Sequence, residues 1–236
     1  MKKPGAEPDP RKGISVVAVG ASSKKAGKST LAARLVRGLG AEYGLKVSSG
    51  GTHTDGPLVT EPATISSPGT DTGALVEAGA LRVAWVNAAG EDLPAVLRQA
   101  LSYFSPGGVL VAEGNGAFAL DPDFAVFLVS APFERFKPSA HEALAHADLV
   151  LVDTGGPAGA DRENLERVLE REAPGAKKVF YRGDEEGSRA FDLALEMARE
   201  AVGQQEQRRS PPPRPSPPRG GGSNREKDGN KRTGPS

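Results

Sequence analysis

The segment Val16 to Leu31, VVAVGASSKKAGKSTL, constrains this chain more than any other. A run of β-branched and small apolar residues ends at Gly20. A turn of small and basic residues follows, and Gly27-Lys28-Ser29-Thr30 then leads into LAARLVRGL, which has helical spacing. The segment reads as strand, loop and helix. In that arrangement the loop's backbone N–H groups and the helix N-terminus aim at one point and favour a multiply charged anion there. Ser23, Lys24, Lys25, Ala26, Gly27, Lys28, Ser29 and Thr30 are the residues expected to wrap a polyphosphate. Lys28 is expected to reach the outer phosphates, and the Ser29 hydroxyl to take a place on Mg²⁺. The full pattern is Gly-x-x-x-x-Gly-Lys-Ser/Thr, and Ser22 stands where its first glycine falls. An ordinary strand-to-helix turn explains Gly27. It does not explain why Lys24, Lys25 and Lys28 crowd a helix start, where the helix dipole disfavours cations.

The chain has 236 residues. From about Gly203 it loses apolar periodicity and becomes rich in Pro, Gly and charge, a composition that cannot bury enough surface to offset chain entropy. The expected organisation is a flexible N-terminus over 1–12, one nucleotide-binding domain over 13–202 and a disordered tail over 203–236. Formal charge is zero overall, but the tail carries eight basic against three acidic residues, which leaves the body at −5. An acidic body argues against a nucleic-acid surface as the main function, and the basic tail reads as a solvated linker. There is no cysteine, which excludes disulfides, Cys-ligated zinc and a cysteine nucleophile. No apolar run reaches the roughly 18 residues that span a bilayer. The start, MKKPGAEPDPRKG, lacks the apolar core of a signal peptide, so a cytoplasmic location is expected.

Between these ends, short β-branched runs alternate with helical stretches, the pattern of a mostly parallel sheet with helices on both faces. Strands are expected at Ile14–Val19, Leu45–Ser49, Leu81–Asn87, Val109–Ala112, Phe124–Val129, Leu149–Val152 and Lys177–Tyr181. Helices are expected at Lys28–Tyr43, Thr72–Gly79, Glu91–Phe104, Lys137–Ala147, Asp161–Arg171 and Ser188–Ala201. Gly50 to Gly69 reads as a long functional loop containing a piece of strand. Ligands of such sheets collect at the C-terminal strand ends. There the sequence places the phosphate loop, then Gly51-Thr52-His53-Thr54-Asp55, Glu113-Gly114-Asn115-Gly116 and Asp153-Thr154-Gly155-Gly156.

Glu113 ends the run GGVLVA, the position from which a carboxylate holds Mg²⁺ directly or through water. The alternative is a cap on the next turn. Gly114 and Gly116 let backbone approach a ligand, and Asn115 is a candidate contact to substrate or phosphate. His53 and Asp55, at alternate positions, share a face if the segment is extended. They either bind a second ligand or complete the Mg²⁺ shell, or they are simply solvated. Asp71 caps the helix that follows it, or meets the acceptor substrate or Mg²⁺. Lys137 puts a cation beside Pro138 and Ser139, near an anion site or at an ordinary helix start. His141 and His146 are five apart and read as unrelated surface residues. Asp153 stands where nucleotide folds meet the base, and a carboxylate there accepts hydrogen bonds from guanine. The guanine-reading Asn-Lys-x-Asp is absent, which leaves GTP and ATP both open.

Four stretches carry a family likeness: SSKKAGKSTLAARLVRGL, KVSSGGTHTDG, SPGTDTGALVEAGALRVAWV and VLVAEG. On these the chain resembles the molybdopterin-guanine dinucleotide biosynthesis accessory protein B family. Those are P-loop NTPases grouped with dethiobiotin synthetase and the signal-recognition GTPases. The resemblance spans Ser15 to Gly116, with Gly69, Asp71, Glu77, Ala78, Gly79 and Ala80 matching the family's Gly-x-Asp and Glu-Ala-Gly-Ala. It implies a P-loop NTPase three-layer sandwich, Mg²⁺-dependent GTP binding with weak hydrolysis, a homodimer, and a role beside a partner enzyme in attaching a nucleotide to molybdopterin. Lys28 and Glu113 would be its catalytic residues, with Ser29 and Glu113 on the metal. The departures are Ser22, the single His53 in the His-bearing strand, and a divergent second half. Three readings follow. One is an NTPase, kinase or synthetase acting on a small cofactor precursor. The second is a nucleotide-switched adaptor with little turnover, whose loop Gly50 to Gly69 orders with the γ-phosphate. The third is a phosphate-loop relic that binds anions structurally.

Overall fold

The computed structural model describes residues 11–49, 56–130, 136–155 and 162–209. Among the described residues, eight strands form one sheet: β1 Ser15–Ala21, β2 Tyr43–Ser48, β3 Leu58–Val59, β4 Arg82–Asn87, β5 Val109–Glu113, β6 Phe124–Ser130, β7 Leu149–Asp153 and β8 Lys177–Tyr181. Their order is β3-β4-β2-β5-β1-β6-β7-β8, parallel throughout except for the two-residue β3, which is antiparallel to β4. The helices are α1 Lys28–Leu39, α2 Pro62–Ile65, α3 Asp71–Glu77, α4 Leu93–Tyr103, α5 Pro138–Ala145, α6 Arg162–Glu172 and α7 Gly183–Arg209. Short 3-10 segments cover Gly90–Asp92 and Asn115–Leu120.

Both faces of the sheet are covered, which is why its central strands read as unbroken apolar runs rather than alternating ones. Every residue of β1 is buried. Val17 and Val19 face Leu31, Leu35, Leu75, Ala190 and Ala194 of α1, α3 and α7. Val16 and Ala18 face the opposite layer, which holds Leu97, Leu101, Ala140, Leu144, Leu165 and Leu169 of α4, α5 and α6. The result is the expected α/β sandwich of three layers.

Some element ends differ from the sequence reading. α1 stops at Leu39 and not at Tyr43, because Gly40 adopts a left-handed cap (φ 62°) and donates to the Val36 carbonyl. Tyr43 then opens β2 and stacks on Phe104 at 4.9 Å between ring centroids. The last helix begins at Gly183 and continues past Ala201 to Arg209. Residues 203–209 were expected in the tail because they lack apolar periodicity, yet a tertiary contact holds them. The Arg209 guanidinium donates to the carbonyls of Gly13 and Ile14 and to Ser15 Oγ at the start of β1. Likewise Arg11, placed by sequence in a flexible start, pairs with Asp123 at 2.9 Å, and Asp123 accepts the Val16 N–H. The strand piece within Gly50–Gly69 is β3, followed by α2. His53, Asp55 and Asp161 lie outside the described residues. Among the described residues no helix is long and apolar enough to cross a membrane.

Gly114 joins β5 to the 3-10 segment at φ 127°, and a Cβ on it would fall 1.9 Å from the Val47 carbonyl oxygen. Gly114→Ala should therefore destabilise the fold by about 2 kcal/mol or more. Gly175→Ala, in open space, should change little. Urea denaturation of the two variants tests this, and equal midpoints would contradict it.

Candidate functional site

The C-terminal ends of β1, β2, β4 and β5 open into a cleft of about 1170 Å³, closed on one side by α5. The segment between β1 and α1 forms one wall. Gly27, at φ 90°, precedes α1, which has neither a side-chain cap nor an acidic residue in its first turn. Its first N–H groups are thus left for an incoming acceptor. Ser22 occupies the first-glycine position without a positive φ, so glycine is not required there. Its hydroxyl accepts the Ser130 N–H at 3.1 Å, and its own N–H donates to the Leu128 carbonyl at 2.9 Å. The serine pins the loop to β6. From the other side Asn115 clamps Ala21: Oδ1 accepts its N–H at 2.9 Å and Nδ2 donates to its carbonyl at 3.2 Å.

Lys28 curls back over the loop toward the Ser23 carbonyl, 3.3 Å away. Burial lowers its pKa, Lys46 and Lys137 add to that effect, and Glu113 and Asp71 only partly offset it. Ser23, Lys24, Lys25, Lys28 and Ser29 line the cleft together with Asp71, Glu113, Asn115 and Lys137. Ala26, Gly27 and Thr30 do not, and Thr30 is exposed on α1.

The floor beneath the loop is acidic. Glu113, only 1% exposed, ends β5. The Asp71 carboxylate reaches in from the start of α3. The helix cap is not Asp71 but Thr70, whose Oγ1 accepts the Gly73 N–H at 3.0 Å. Ser29 Oγ donates to Asp71 Oδ1 at 2.5 Å and lies 3.3 Å from Glu113 Oε1. Lys46 Nζ, from β2, donates to Asp71 Oδ2 at 2.5 Å and to Glu113 Oε1 at 2.8 Å. Glu113 Oε2 is enclosed and has no hydrogen-bond partner among the described residues. Burial opposes the Lys46 charge, but Glu113 and Asp71 outweigh it and hold the pKa above its ordinary value. Burial likewise pushes Asp71 up, but hydrogen bonds from Lys46 and Ser29 bring it below the usual carboxylate range.

No protein-family model matches the sequence, and no curated protein matches it significantly. Solved structures do match. The chain is similar to the hydrogenase maturation factor HypB from Archaeoglobus fulgidus, with a TM-score of 0.53 and 17% identity over 81% of this chain and 91% of that one. This is the P-loop NTPase fold. Weaker likenesses are HypB from Helicobacter pylori in complex with nickel (TM-score 0.49, 12% identity, 84% and 90% covered) and LpxK from Aquifex aeolicus in complex with ATP (TM-score 0.43, 13% identity, 73% and 71% covered).

Within this P-loop fold, Asp153 stands apart. It does not line the cleft, and its Oδ1 accepts the Gly155 N–H at 2.8 Å. Burial and then Asp153 push the neighbouring Tyr181 up to about 12. His146, read from sequence as an unrelated surface residue, lines the cleft from the end of α5, whereas His141 turns away to Glu172 at 3.2 Å. Lys46 is the residue that sequence reasoning missed. Its signal was a lysine inside the strand GLKVS, a cost that a covered sheet bears only when the charge is paired.

Because the folded-state pKa of Asp71 is depressed, the carboxylate contributes stability that is fully present above its ordinary value of 3.8 and is lost as pH falls through the lower folded value. Asp71→Asn should therefore lower stability at neutral pH, with the gap to the parent closing below about pH 4. Urea midpoints from pH 2 to 7 measure it. A gap that stays constant over that range would refute the pairing.

Proposed function

We propose that this chain binds a purine nucleoside triphosphate, GTP or ATP, with Mg²⁺, and hydrolyses it or transfers its terminal phosphoryl group. The observation that carries this reading is the convergence of Ser29, Asp71 and buried Glu113 beside an uncapped helix start and Lys28, which curls over the loop into the cleft. Residues 23–29 would take the phosphates through backbone N–H groups and Lys28. Ser29, Glu113 and Asp71 offer one hydroxyl and two carboxylates, a hard-oxygen set that suits Mg²⁺. The unpartnered Glu113 Oε2 is a polar atom that a cation would satisfy. Among the described residues no three His, Asp or Glu gather as a metal cage. That too suits Mg²⁺, which uses one or two carboxylates and completes its shell with water and substrate phosphates. Bound there, Mg²⁺ would neutralise charge on the phosphates.

Of this chain's own groups, Lys28 and the loop amides would stabilise charge on the transferred group, and Glu113 would orient the attacking oxygen. Asn115 acts one step back, holding Ala21 and with it the loop. The cleft continues past the carboxylates to Trp85, Leu93 and Phe118. That extra length supports a small-molecule kinase or synthetase, of the dethiobiotin-synthetase type, over a bare adaptor. The resemblance to the molybdopterin accessory family supports a role in cofactor assembly, as in molybdopterin-guanine dinucleotide formation, beside a partner enzyme. Lys137 and His146, on the α5 wall, are candidate contacts to the acceptor, and Asp153 is a candidate contact to the base.

Lys28→Ala should weaken GTP and ATP binding by roughly a hundredfold or more, read by calorimetry in Mg²⁺. Glu113→Gln should slow turnover by roughly a hundredfold while changing nucleotide affinity far less. Unaltered affinity in the lysine variant would overturn the reading. Equal losses of binding and turnover in the glutamine variant would remove Glu113 from the chemistry.

A further inference from the structure

Lys46 lies where the proposed function needs something else. Its ammonium is within hydrogen-bond distance of Asp71 Oδ2 and Glu113 Oε1, the two carboxylates that Ser29 Oγ also touches. The lysine therefore sits among the three side chains that the preceding section assigns to a divalent metal. We infer that Lys46 is a tethered cation that holds the metal position in the nucleotide-free protein. It excludes free Mg²⁺ and yields only to metal arriving with a triphosphate. The inference rests on the assignment of Ser29, Asp71 and Glu113 to the metal.

The charges support it. The Lys46 ammonium is paired with both carboxylates, so Asp71 and Glu113 already share a cation. Glu113 is buried, and a buried carboxylate left unpaired is strongly destabilising. Free Mg²⁺ would have to displace an ammonium already paired with both carboxylates. It would also have to give up part of a tightly held water shell in return for two carboxylates and a hydroxyl. A triphosphate changes that balance by bringing several negative charges. Some oxygens complete the metal shell, and others give the displaced ammonium a new partner. The four-carbon stem of lysine allows such a swing, which a rigid guanidinium fork would resist. The ammonium also fits the site incompletely. It meets Glu113 Oε1 only and leaves the enclosed Oε2 without a donor, so a cation lying more deeply between the carboxylates would satisfy one more atom.

The test uses the full chain freed of nucleotide, with Mn²⁺ as the spectroscopic probe and electron paramagnetic resonance counting the free ion. Lys46→Met should bind Mn²⁺ roughly tenfold or more tightly than the parent, because a full positive charge has left the site. Lys46→Arg, which keeps the charge, should exclude Mn²⁺ as the parent does. Adding Asp71→Asn to Lys46→Met should abolish the gain. Equal Mn²⁺ affinity in the parent and Lys46→Met overturns the inference, as does a gain that survives Asp71→Asn. Should Lys46→Met and Lys46→Gln fold only when prepared in Mn²⁺, the ion has replaced the ammonium and the inference stands. Should they stay unfolded with Mn²⁺ present, it falls. A separate titration of the parent with Mg²⁺ and GTP or ATP distinguishes the two readings. No nucleotide binding there sinks the proposed function itself, while normal binding with no Mn²⁺ gain in Lys46→Met sinks only the tethered cation.

Discussion

A carboxylate at the end of a covered strand is the constraint around which this site is built. Glu113 has almost no contact with solvent, and a charge there persists only if cations and donors meet it. The sheet register supplies the first of them. Lys46 of β2 and Val19 of β1 stand beside Glu113 in adjacent strands. Register partners point to the same face, so the lysine is delivered to the carboxylate by strand pairing alone. Ser29 arrives from the first turn of α1 and Asp71 from the first turn of α3. Both helices lie on the face that buries Val17, Val19 and Leu75. Core packing on that face thus sets the distances among the polar groups at its upper rim.

The loop above is held at its start by contacts to two neighbouring segments. Asn115 grips Ala21 where the strand ends, and Ser22 is tied to β6 through Ser130. Gly20 allows Phe118, Phe127 and Asn115 to crowd the strand, since a Cβ there would meet all three within 3.0 Å. The clamp comes from the segment that follows Glu113. The acidic floor and the loop's support are therefore parts of one stretch of chain, residues 113–118, and a shift in that stretch moves both together.

The sequence made the strand, loop and first helix legible because each has its own local chemistry: β-branched residues, then glycine and lysines, then helical spacing. Glu113 was legible because it interrupts an apolar run, and Asp71 because it stands at a helix start. That Asp71 faces Ser29 rather than capping its helix depends on Thr70 taking the cap, a choice between neighbours that spacing does not decide. Lys46 was hidden because its meaning lies in β2 pairing with β5. Those strands are far apart in sequence, and no local pattern encodes their adjacency. The continuation of α7 to Arg209 was hidden for a similar reason. Its polar last turns are held by carbonyls at the start of β1, almost the whole chain away. Asn115, expected as a ligand contact, lines the cleft and also spends one acceptor and one donor of its amide on the Ala21 backbone.

The direction in which the cleft extends separates two halves of the sheet. From the loop it runs across β5 and β2 to Trp85 of β4, and it does not reach Asp153 at the end of β7. Trp85 Nε1 donates to Ser48 Oγ at 2.8 Å, which fixes the ring at the edge of this extension. Leu93 and Phe118 add apolar surface around it, and Lys137 and His146 add polar groups on the α5 wall. The recess therefore mixes apolar and polar groups on its walls. It begins where the Lys46 ammonium now lies. A cation displaced from between the two carboxylates would turn to phosphate oxygens held by the loop, so that in the proposed reading the buried glutamate and the metal position are linked through one side chain.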